Sequence, residues 1–197
     1  MLTNHEILST QMSLELRNGE MVQVRPMKSS DGDSIFNFLR TLSKESLRWF
    51  HPFPFDRETA DIVAGDADDI KSYRLVVTAK DVLISYAYWR PQGRRSRLPL
   101  LSIAIADDYQ SLGLGRWLMV KLINAALKRN LDGLQLNVFK GNERAINLYT
   151  SLGFSFSGET TDGKQHTMQL LFRTETHQLS KPKLNRWIRR ITGISSS

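Results

Sequence analysis

The spacing of apolar side chains changes along the chain, and each spacing predicts a different element. Residues 20–27 alternate between apolar and polar side chains and stop near Pro26, which predicts a half-buried strand. Residues 98–106 are apolar almost without interruption, as expected of a strand buried on both faces. Residues 113–129 repeat apolar side chains at helical spacing and predict an amphipathic helix. The chain therefore combines the alternating pattern of strands with the helical spacing of amphipathic helices, as α/β proteins do.

Turn residues and helix caps place the remaining elements. Asp31, Asp33 and Ser43 stand where they can cap the N-termini of helices. Helices are expected after these caps and at 56–64 and 142–152, and strands at 73–78, 82–90, 134–139, 154–158 and 166–172. Residues 1–18 have no clear period, so we expect a loose arm or a short helix there.

The order of elements in the middle of the chain indicates the fold class. From residue 98 to residue 152 it is strand, glycine turn, helix, strand and helix, which is typical of an α/β sheet with a crossover helix. Further strands lie towards both ends of the chain, so we expect the sheet to be mixed rather than purely parallel.

Composition narrows the class of protein. The chain has 197 residues, of which 41% are hydrophobic and 24% are charged, as in an ordinary globular domain. It contains no cysteine, which excludes disulfides, thiolate metal sites and a cysteine nucleophile. No apolar stretch is long enough to cross a bilayer, and the first twenty residues lack the apolar core of a signal peptide. We therefore expect a cytoplasmic protein, and we expect no bound metal.

The formal charge of +7 is concentrated at the C-terminal end. Residues 176–197 hold five basic side chains and no acidic one, so the rest of the chain has 27 − 5 = 22 basic against 20 acidic residues, or only +2. We therefore predict an N-terminal arm (1–19), one domain (20–175) and a basic amphipathic tail (176–197), and no specific nucleic-acid partner. The tail suits a helix that packs on its own domain or on a second copy in a homodimer; contact with a membrane surface is the weaker alternative.

The sharpest local feature lies between the apolar strand and the long helix, where the sequence is Gln110-Ser-Leu-Gly-Leu-Gly-Arg116. A helix start leaves backbone N–H groups without intrahelical partners, and its dipole favours an anion there. The glycines let a phosphate approach the backbone closely, and Arg116 adds a charged donor. On spacing alone, an ordinary glycine turn before a core helix explains the segment equally well. It is neither a Rossmann fingerprint nor a P-loop.

Two segments together resemble the Gcn5-related N-acetyltransferase (GNAT) family. The first, residues 103–116, matches the family's diphosphate-binding pattern Gln/Arg-x-x-Gly-x-Gly/Ala at Gln110, Gly113 and Gly115. The second begins 27 residues after Gly115 and has the sequence Asn-x-x-Ala-x-x-Leu-Tyr-x-x-Leu-Gly-Phe over residues 142–154. The resemblance implies the GNAT acyl-CoA N-acyltransferase fold, an α/β fold whose mixed central sheet is flanked by helices, and acetyl-CoA as cosubstrate.

The resemblance also implies roles for individual residues. Backbone groups of the strand before the turn would contact the pantetheine arm and the acetyl group, and N–H groups of the turn would hold the diphosphate; these residues are Ile103, Ala104, Ile105, Ser111, Leu112, Gly113, Leu114, Gly115 and Arg116. Asn142 would face the cofactor while capping its helix, and Ala145 is small enough for close approach. Tyr149 would protonate the departing thiolate. The alternative is that Tyr149 is a core aromatic residue anchored by its hydroxyl.

The general base and the acceptor are not fixed by the sequence. Asn137 stands where some relatives carry an acidic base, the apolar strand offers only Ser102, and Asp107 and Asp108 have the character of turn formers. Residues 42–52 loosely resemble a stretch of bacterial acetyltransferases, including protein-lysine acetyltransferases. His51 within that stretch is more typical of a structural residue than of a proton acceptor.

The resemblance therefore implies an enzyme that transfers acetyl from acetyl-CoA to a primary amine, by direct attack in a ternary complex. The acceptor is a small molecule, a protein lysine or a protein N-terminus, and these alternatives stay open. A functional alternative of a different class is a non-catalytic acyl-CoA-binding sensor that signals through the basic tail.

Overall fold

The structure is a computed structural model, which describes residues 11–50, 56–65, 67, 69, 71–93 and 98–172. The predicted tail and His51 lie outside the described residues. The chain divides into two compact units, the first drawn from residues 1–90 and 102–125 and the second from residues 91–101 and 126–197. The described residues form eight strands and five α-helices.

Antiparallel pairing dominates the strands of the first unit. They are β1 (Met12–Glu15), β2 (Met21–Pro26), β3 (Tyr73–Ala79), β4 (Val82–Arg90) and the end of β5 (Leu100–Ile105), neighbours in that order. Lys80 and Asp81 join β3 to β4 with φ values of 48° and 63°. Two successive positive φ angles are what a two-residue hairpin turn of the favoured twist requires, so β3 and β4 form a tight hairpin.

Strand β1 corrects one expectation. Residues 12–15 were expected to belong to a loose arm or a short helix, but they pair with β2, from Met12 opposite Val24 to Glu15 opposite Met21. The strand has only four residues, and none of them is fully buried. Such a short, half-covered strand gives two alternations at most, which is too few to establish a period.

The helices of the first unit pack their apolar faces on its strands. They are α1 (Gly32–Thr41), α2 (Lys44–Trp49), α3 (Arg57–Gly65) and the greater part of α4 (Leu114–Lys128). Ile35 and Phe38 of α1 are buried in one cluster with Val76 of β3 and Tyr86 of β4. The rings of Phe38 and Tyr86 pack edge to face, with their centroids 5.7 Å apart. The helical spacing in α1 therefore marks its core face, as predicted.

Of the predicted caps, Ser43 is confirmed, Asp31 stands at the N-cap position without a capping hydrogen bond from its side chain, and Asp33 is wrong. Ser43 Oγ accepts a hydrogen bond of 3.1 Å from the N–H of Ser46. Asp31 precedes α1 but makes no such cap; its buried carboxylate accepts two hydrogen bonds of 2.7 and 2.8 Å from the guanidinium of Arg25. Asp33 lies inside the helix and forms an ion pair with Arg57. The same carboxylate accepts a hydrogen bond of 2.8 Å from the N–H of Lys28 in the preceding 3₁₀ turn, so both of its oxygens have donors without a bond to α1.

The second unit supplies the parallel pairing. Leu100, the first residue of β5, lies opposite Gln135 of β6 (Gly133–Phe139) in parallel register. Strand β6 pairs antiparallel with β8 (Gln165–Leu171), which pairs antiparallel with β7 (Ser155–Glu159), so the order in this unit is β5-β6-β8-β7. Parallel and antiparallel pairs together confirm the predicted mixed α/β arrangement.

The fifth helix, α5 (Glu143–Ser151), belongs to the second unit and ends before Gly153, which has φ of +90°. Within the described ranges, none of the helices combines the length and apolarity that crossing a bilayer demands. The same ranges hold no cluster of three histidine or carboxylate side chains of the kind that binds a metal.

Candidate active site

Strand β5 is less covered than its sequence suggests. Leu101 and Ala104 are buried, but Ser102, Ile103 and Ile105 are only half-buried, so the expectation of burial on both faces is wrong. The uncovered side chains alternate with the buried ones over the last residues of the strand. An apolar run alone could not reveal this, because isoleucine is chosen both for cores and for the apolar walls of binding sites.

The backbone of β5 is fixed in place by two side chains of the first unit. The hydroxyl of Ser85 on β4 donates a hydrogen bond of 2.7 Å to the carbonyl of Ala104. The amide of Gln110 donates to the carbonyl of Ile105 at 3.0 Å. The strand segment that the family resemblance assigns to the pantetheine arm therefore has a defined position within its own unit.

The glycine turn reverses the chain through two residues with left-handed backbone angles. After a 3₁₀ turn at Asp107–Tyr109, Ser111 has φ of 63° and Gly113 has φ of 90°. The first hydrogen bond of α4 runs from the N–H of Trp117 to the carbonyl of Gly113, at 3.1 Å. The N–H groups of Leu114 and Gly115 precede that bond and have no acceptor inside the helix. The turn therefore has the geometry of an anion site at the start of a 15-residue helix.

A polar network connects the end of β5 to the start of α2. The carboxylate of Asp107 accepts hydrogen bonds from the N–H of Ser43 at 2.9 Å, from its hydroxyl at 2.7 Å and from the hydroxyl of Ser46 at 2.7 Å. The Ser46 hydroxyl in turn accepts one of 3.0 Å from Gln110. Partial burial raises the pKa of Asp107, but the hydrogen bonds from Ser43 and Ser46 outweigh it and hold the pKa below the usual value. Asp107 is therefore a structural carboxylate and a poor base, in agreement with the prediction from the sequence that it forms a turn.

The β1–β2 hairpin lies against the same turn. The N–H of Arg17 donates to the carbonyl of Leu112 at 3.2 Å, and the hydroxyl of Tyr109 donates to Glu20 Oε1 at 3.2 Å. A Cβ placed on Gly113 would lie 3.4 Å from Arg17 Nε. Sequence analysis could not predict this neighbour, because the four residues of β1 are too few to show a strand period.

In the second unit, α5 carries the other predicted residues. Asn142 caps the helix as predicted, accepting a hydrogen bond of 3.2 Å from the N–H of Ala145. Tyr149 is buried, and its ring lies 6.1 Å from that of Phe154. Burial raises the pKa of Tyr149 to about 12. Among the described residues, none forms a hydrogen bond with its hydroxyl.

Where some relatives carry an acidic base, this chain has the side-chain amide of Asn137, which is hydrogen-bonded to a neighbouring strand. Asn137 on β6 accepts a hydrogen bond of 3.1 Å from the Thr167 hydroxyl on β8. Glu143 lies in the first turn of α5, where an acid complements the helix dipole. Asn137 has no carboxylate with which to accept a proton, and the position of Glu143 is that of a first-turn helix acid.

The comparisons with known proteins identify the family. A sequence model described as "Acetyltransferase (GNAT) family" matches residues 36–154, more than half of the chain. The chain belongs to the GNAT family. It is 32% identical to the [ribosomal protein bS18]-alanine N-acetyltransferase of Escherichia coli K12 over 121 residues, which cover 58% of this chain and 78% of that enzyme.

Solved structures agree with this assignment. The GNAT domain of S. lividans PAT superposes with a TM-score of 0.66 at 18% identity, over 82% of this chain and 96% of that one. Mycobacterium smegmatis RimJ in complex with CoA-disulfide superposes with a TM-score of 0.67 at 12% identity, over 93% of each chain. At these identities the likeness shows the fold. The family model and the curated relatives together make this chain an N-acetyltransferase that uses acetyl-CoA, as the sequence resemblance implied.

Proposed function

We propose that this enzyme acetylates the α-amine at the N-terminus of a protein or peptide. One observation carries the proposal: Asn137 stands where some relatives carry a carboxylate base, and its amide oxygen accepts a hydrogen bond from Thr167. The similarity to alanine N-acetyltransferases of ribosomal proteins supports the same acceptor class. Because the amide of Asn137 cannot accept the amine proton as a carboxylate would, we expect the enzyme to favour the amine that loses its proton most easily.

The free energy of deprotonation separates the candidate acceptors. An α-amine has a pKa of about 7.7–8.0 and a lysine side chain about 10.4. At pH 7.5 about a quarter to two fifths of α-amines are already neutral, against roughly one lysine in a thousand. The α-amine therefore enters the site as a nucleophile several hundred times more often without help. A polyamine or a lysine needs a base to compensate for this difference.

For the cofactor, we assign the diphosphate to the N–H groups of Ser111, Leu112, Gly113, Leu114, Gly115 and Arg116. The left-handed angles at Ser111 and Gly113 support this assignment, as do the N–H groups of Leu114 and Gly115, which precede the first hydrogen bond of α4. The half-buried Ile103 and Ile105, with Ala104 between them, would accompany the pantetheine arm. Asn142 and Ala145 keep the cofactor-facing role that the resemblance implies.

Acetyl transfer needs one new bond and one broken bond. The amine nitrogen bonds to the acetyl carbon, the carbon–sulfur bond breaks, the amine proton leaves to solvent and coenzyme A departs as a thiolate. We assign Tyr149 to the thiolate. With a pKa raised to about 12, its hydroxyl stays protonated at every working pH, so it stabilises the sulfur by hydrogen bonding more than by complete proton transfer.

The test compares three acceptors under identical conditions. One peptide begins with alanine and contains no lysine; the second has the same sequence with a blocked N-terminus and one internal lysine; the third acceptor is spermidine. Release of coenzyme A is followed for each between pH 6 and 9. We expect turnover with the first peptide, with kcat/KM rising with pH and levelling off near the pKa of its α-amine. Faster turnover of the blocked peptide or of spermidine would contradict the proposal.

A further inference from the structure

The β1–β2 hairpin places a cation beside the phosphate turn, outside the part of the chain that defines the family. The family match begins at residue 36, whereas the hairpin spans residues 12–26. Its connection brings Arg17 to the turn, where a Cβ on Gly113 would lie 3.4 Å from Arg17 Nε and 3.7 Å from its Cγ. The stem of the arginine side chain therefore runs along the face of Gly113.

The backbone holds Arg17 in this place, and its side chain remains available. The N–H of Arg17 donates to the carbonyl of Leu112, and the neighbouring Glu20 accepts from the Tyr109 hydroxyl. Both contacts attach the hairpin to the turn without using the guanidinium. Within the described part of the chain no carboxylate pairs with that guanidinium, and the residue is exposed.

We propose that Arg17 binds the diphosphate of acetyl-CoA and so completes the phosphate site from outside the family motif. The proposal rests on the proposed function of residues 111–116. A guanidinium beside Gly113, the residue before α4, adds N–H donors and a full positive charge to backbone donors that carry only partial charge. We assign it to the diphosphate rather than to the 3′-phosphate of coenzyme A because it lies along Gly113, at the centre of the turn.

The side chain can be tested without undocking the hairpin. Because the hydrogen bond to Leu112 comes from the main chain, Arg17→Gln removes the charge and keeps that bond. Arg17→Lys keeps the positive charge but loses the planar guanidinium, whose paired N–H groups can donate to two oxygens at once. Arg40→Gln is the matched control, since Arg40 is an exposed arginine that lies over the Phe36 ring on α1. Calorimetry then gives the Kd of each variant for coenzyme A, for dephospho-coenzyme A and for pantetheine.

We expect Arg17→Gln to raise the Kd for coenzyme A and for dephospho-coenzyme A alike, by roughly 5- to 30-fold at low salt. Arg17→Lys should have a smaller effect and Arg40→Gln none. The effect of Arg17→Gln should shrink at high salt. Pantetheine, which lacks phosphate groups, should bind all variants equally, and the melting temperature of Arg17→Gln should match that of Arg40→Gln.

Each other result has a distinct meaning. A loss confined to coenzyme A would move the contact to the 3′-phosphate and overturn the assignment to the diphosphate. An equal loss for pantetheine, together with a lower melting temperature, would show a structural role and overturn the proposal. Wild-type Kd values for Arg17→Gln would also overturn it. A wild-type enzyme that binds no coenzyme A would instead contradict the proposed phosphate turn itself.

Discussion

A single negative charge at residue 111 tests whether the turn binds an anion. Ser111 is exposed and has φ of 63°, a conformation in which aspartate and asparagine are tolerated better than other side chains. Ser111→Asp and Ser111→Asn have nearly the same shape and the same backbone preference. The two variants therefore differ in charge and in little else.

The size of the effect follows from Coulomb's law. A carboxylate on the order of 6 Å from a phosphate charge interacts with it by about 0.7 kcal/mol at the dielectric constant of water and by about 2.8 kcal/mol at an effective dielectric constant of about 20. Because the Ser111 side chain is exposed, we place the repulsion at about 1–2 kcal/mol. Ser111→Asp should therefore bind coenzyme A roughly 5- to 30-fold more weakly than Ser111→Asn.

Calorimetric titration of both variants with coenzyme A, at low and at high salt, measures this difference. Screening should reduce it at high salt. Titration with pantetheine is the control, and there the two variants should agree. Equal affinities of Ser111→Asp and Ser111→Asn for coenzyme A at low salt would refute the assignment of the diphosphate to this turn. A Gly113→Glu variant is a poorer test, because φ of 90° strains any side chain there and Arg17 would neutralise the new charge.

Three further predictions concern the chemistry and the stability of the fold. Tyr149→Phe should lower kcat roughly 10- to 100-fold and leave the Kd for coenzyme A unchanged; a wild-type rate would show that the hydroxyl has no part in the reaction. A Cβ at Gly133 would overlap the backbone of β8, so Gly133→Ala should lower the free energy of unfolding in urea by about 1–3 kcal/mol. Gly158→Ala is the control: a Cβ there meets nothing within 4 Å, and the free energy of unfolding should change by no more than about 0.5 kcal/mol. Burial raises the pKa of Asp31, but the hydrogen bonds and charges of Arg25 and Lys28 together outweigh it and lower the pKa. The wild type should therefore lose stability below about pH 4, and Asp31→Asn should show less of this loss. Equal acid sensitivity of the two proteins would contradict this prediction.

Hydrogen bonds that close within three residues were predictable from the sequence. Ser43 bonds to the N–H of Ser46, and Asn142 bonds to the N–H of Ala145, as their positions before a helical period indicated. Asp31 has the same local signal but a different partner. Its carboxylate is buried beside a guanidinium on β2, and local sequence carries no information about that neighbour.

Contacts between distant parts of the chain were not predictable. Asp107 bonds to Ser43 across 64 residues, and Arg17 meets the turn through a strand too short to show a period. The central part of the chain was predicted well because its helices and strands are long enough to show a period. In addition, each of the two motifs lies at the start of a helix. The order strand, turn, helix, strand and helix is confirmed, and with it the placement of residues 111–116 at a helix start. The roles of those residues stay predictions that the variants above test.

Competition within one molecule tests the proposed acceptor most directly. A peptide that begins with alanine and carries one internal lysine offers both amines at the same concentration. After partial reaction with acetyl-CoA at pH 7.5, tandem mass spectrometry locates the acetyl group. We predict acetylation of the α-amine well before any acetylation of the lysine. Acetyl groups found first on the lysine would contradict the account.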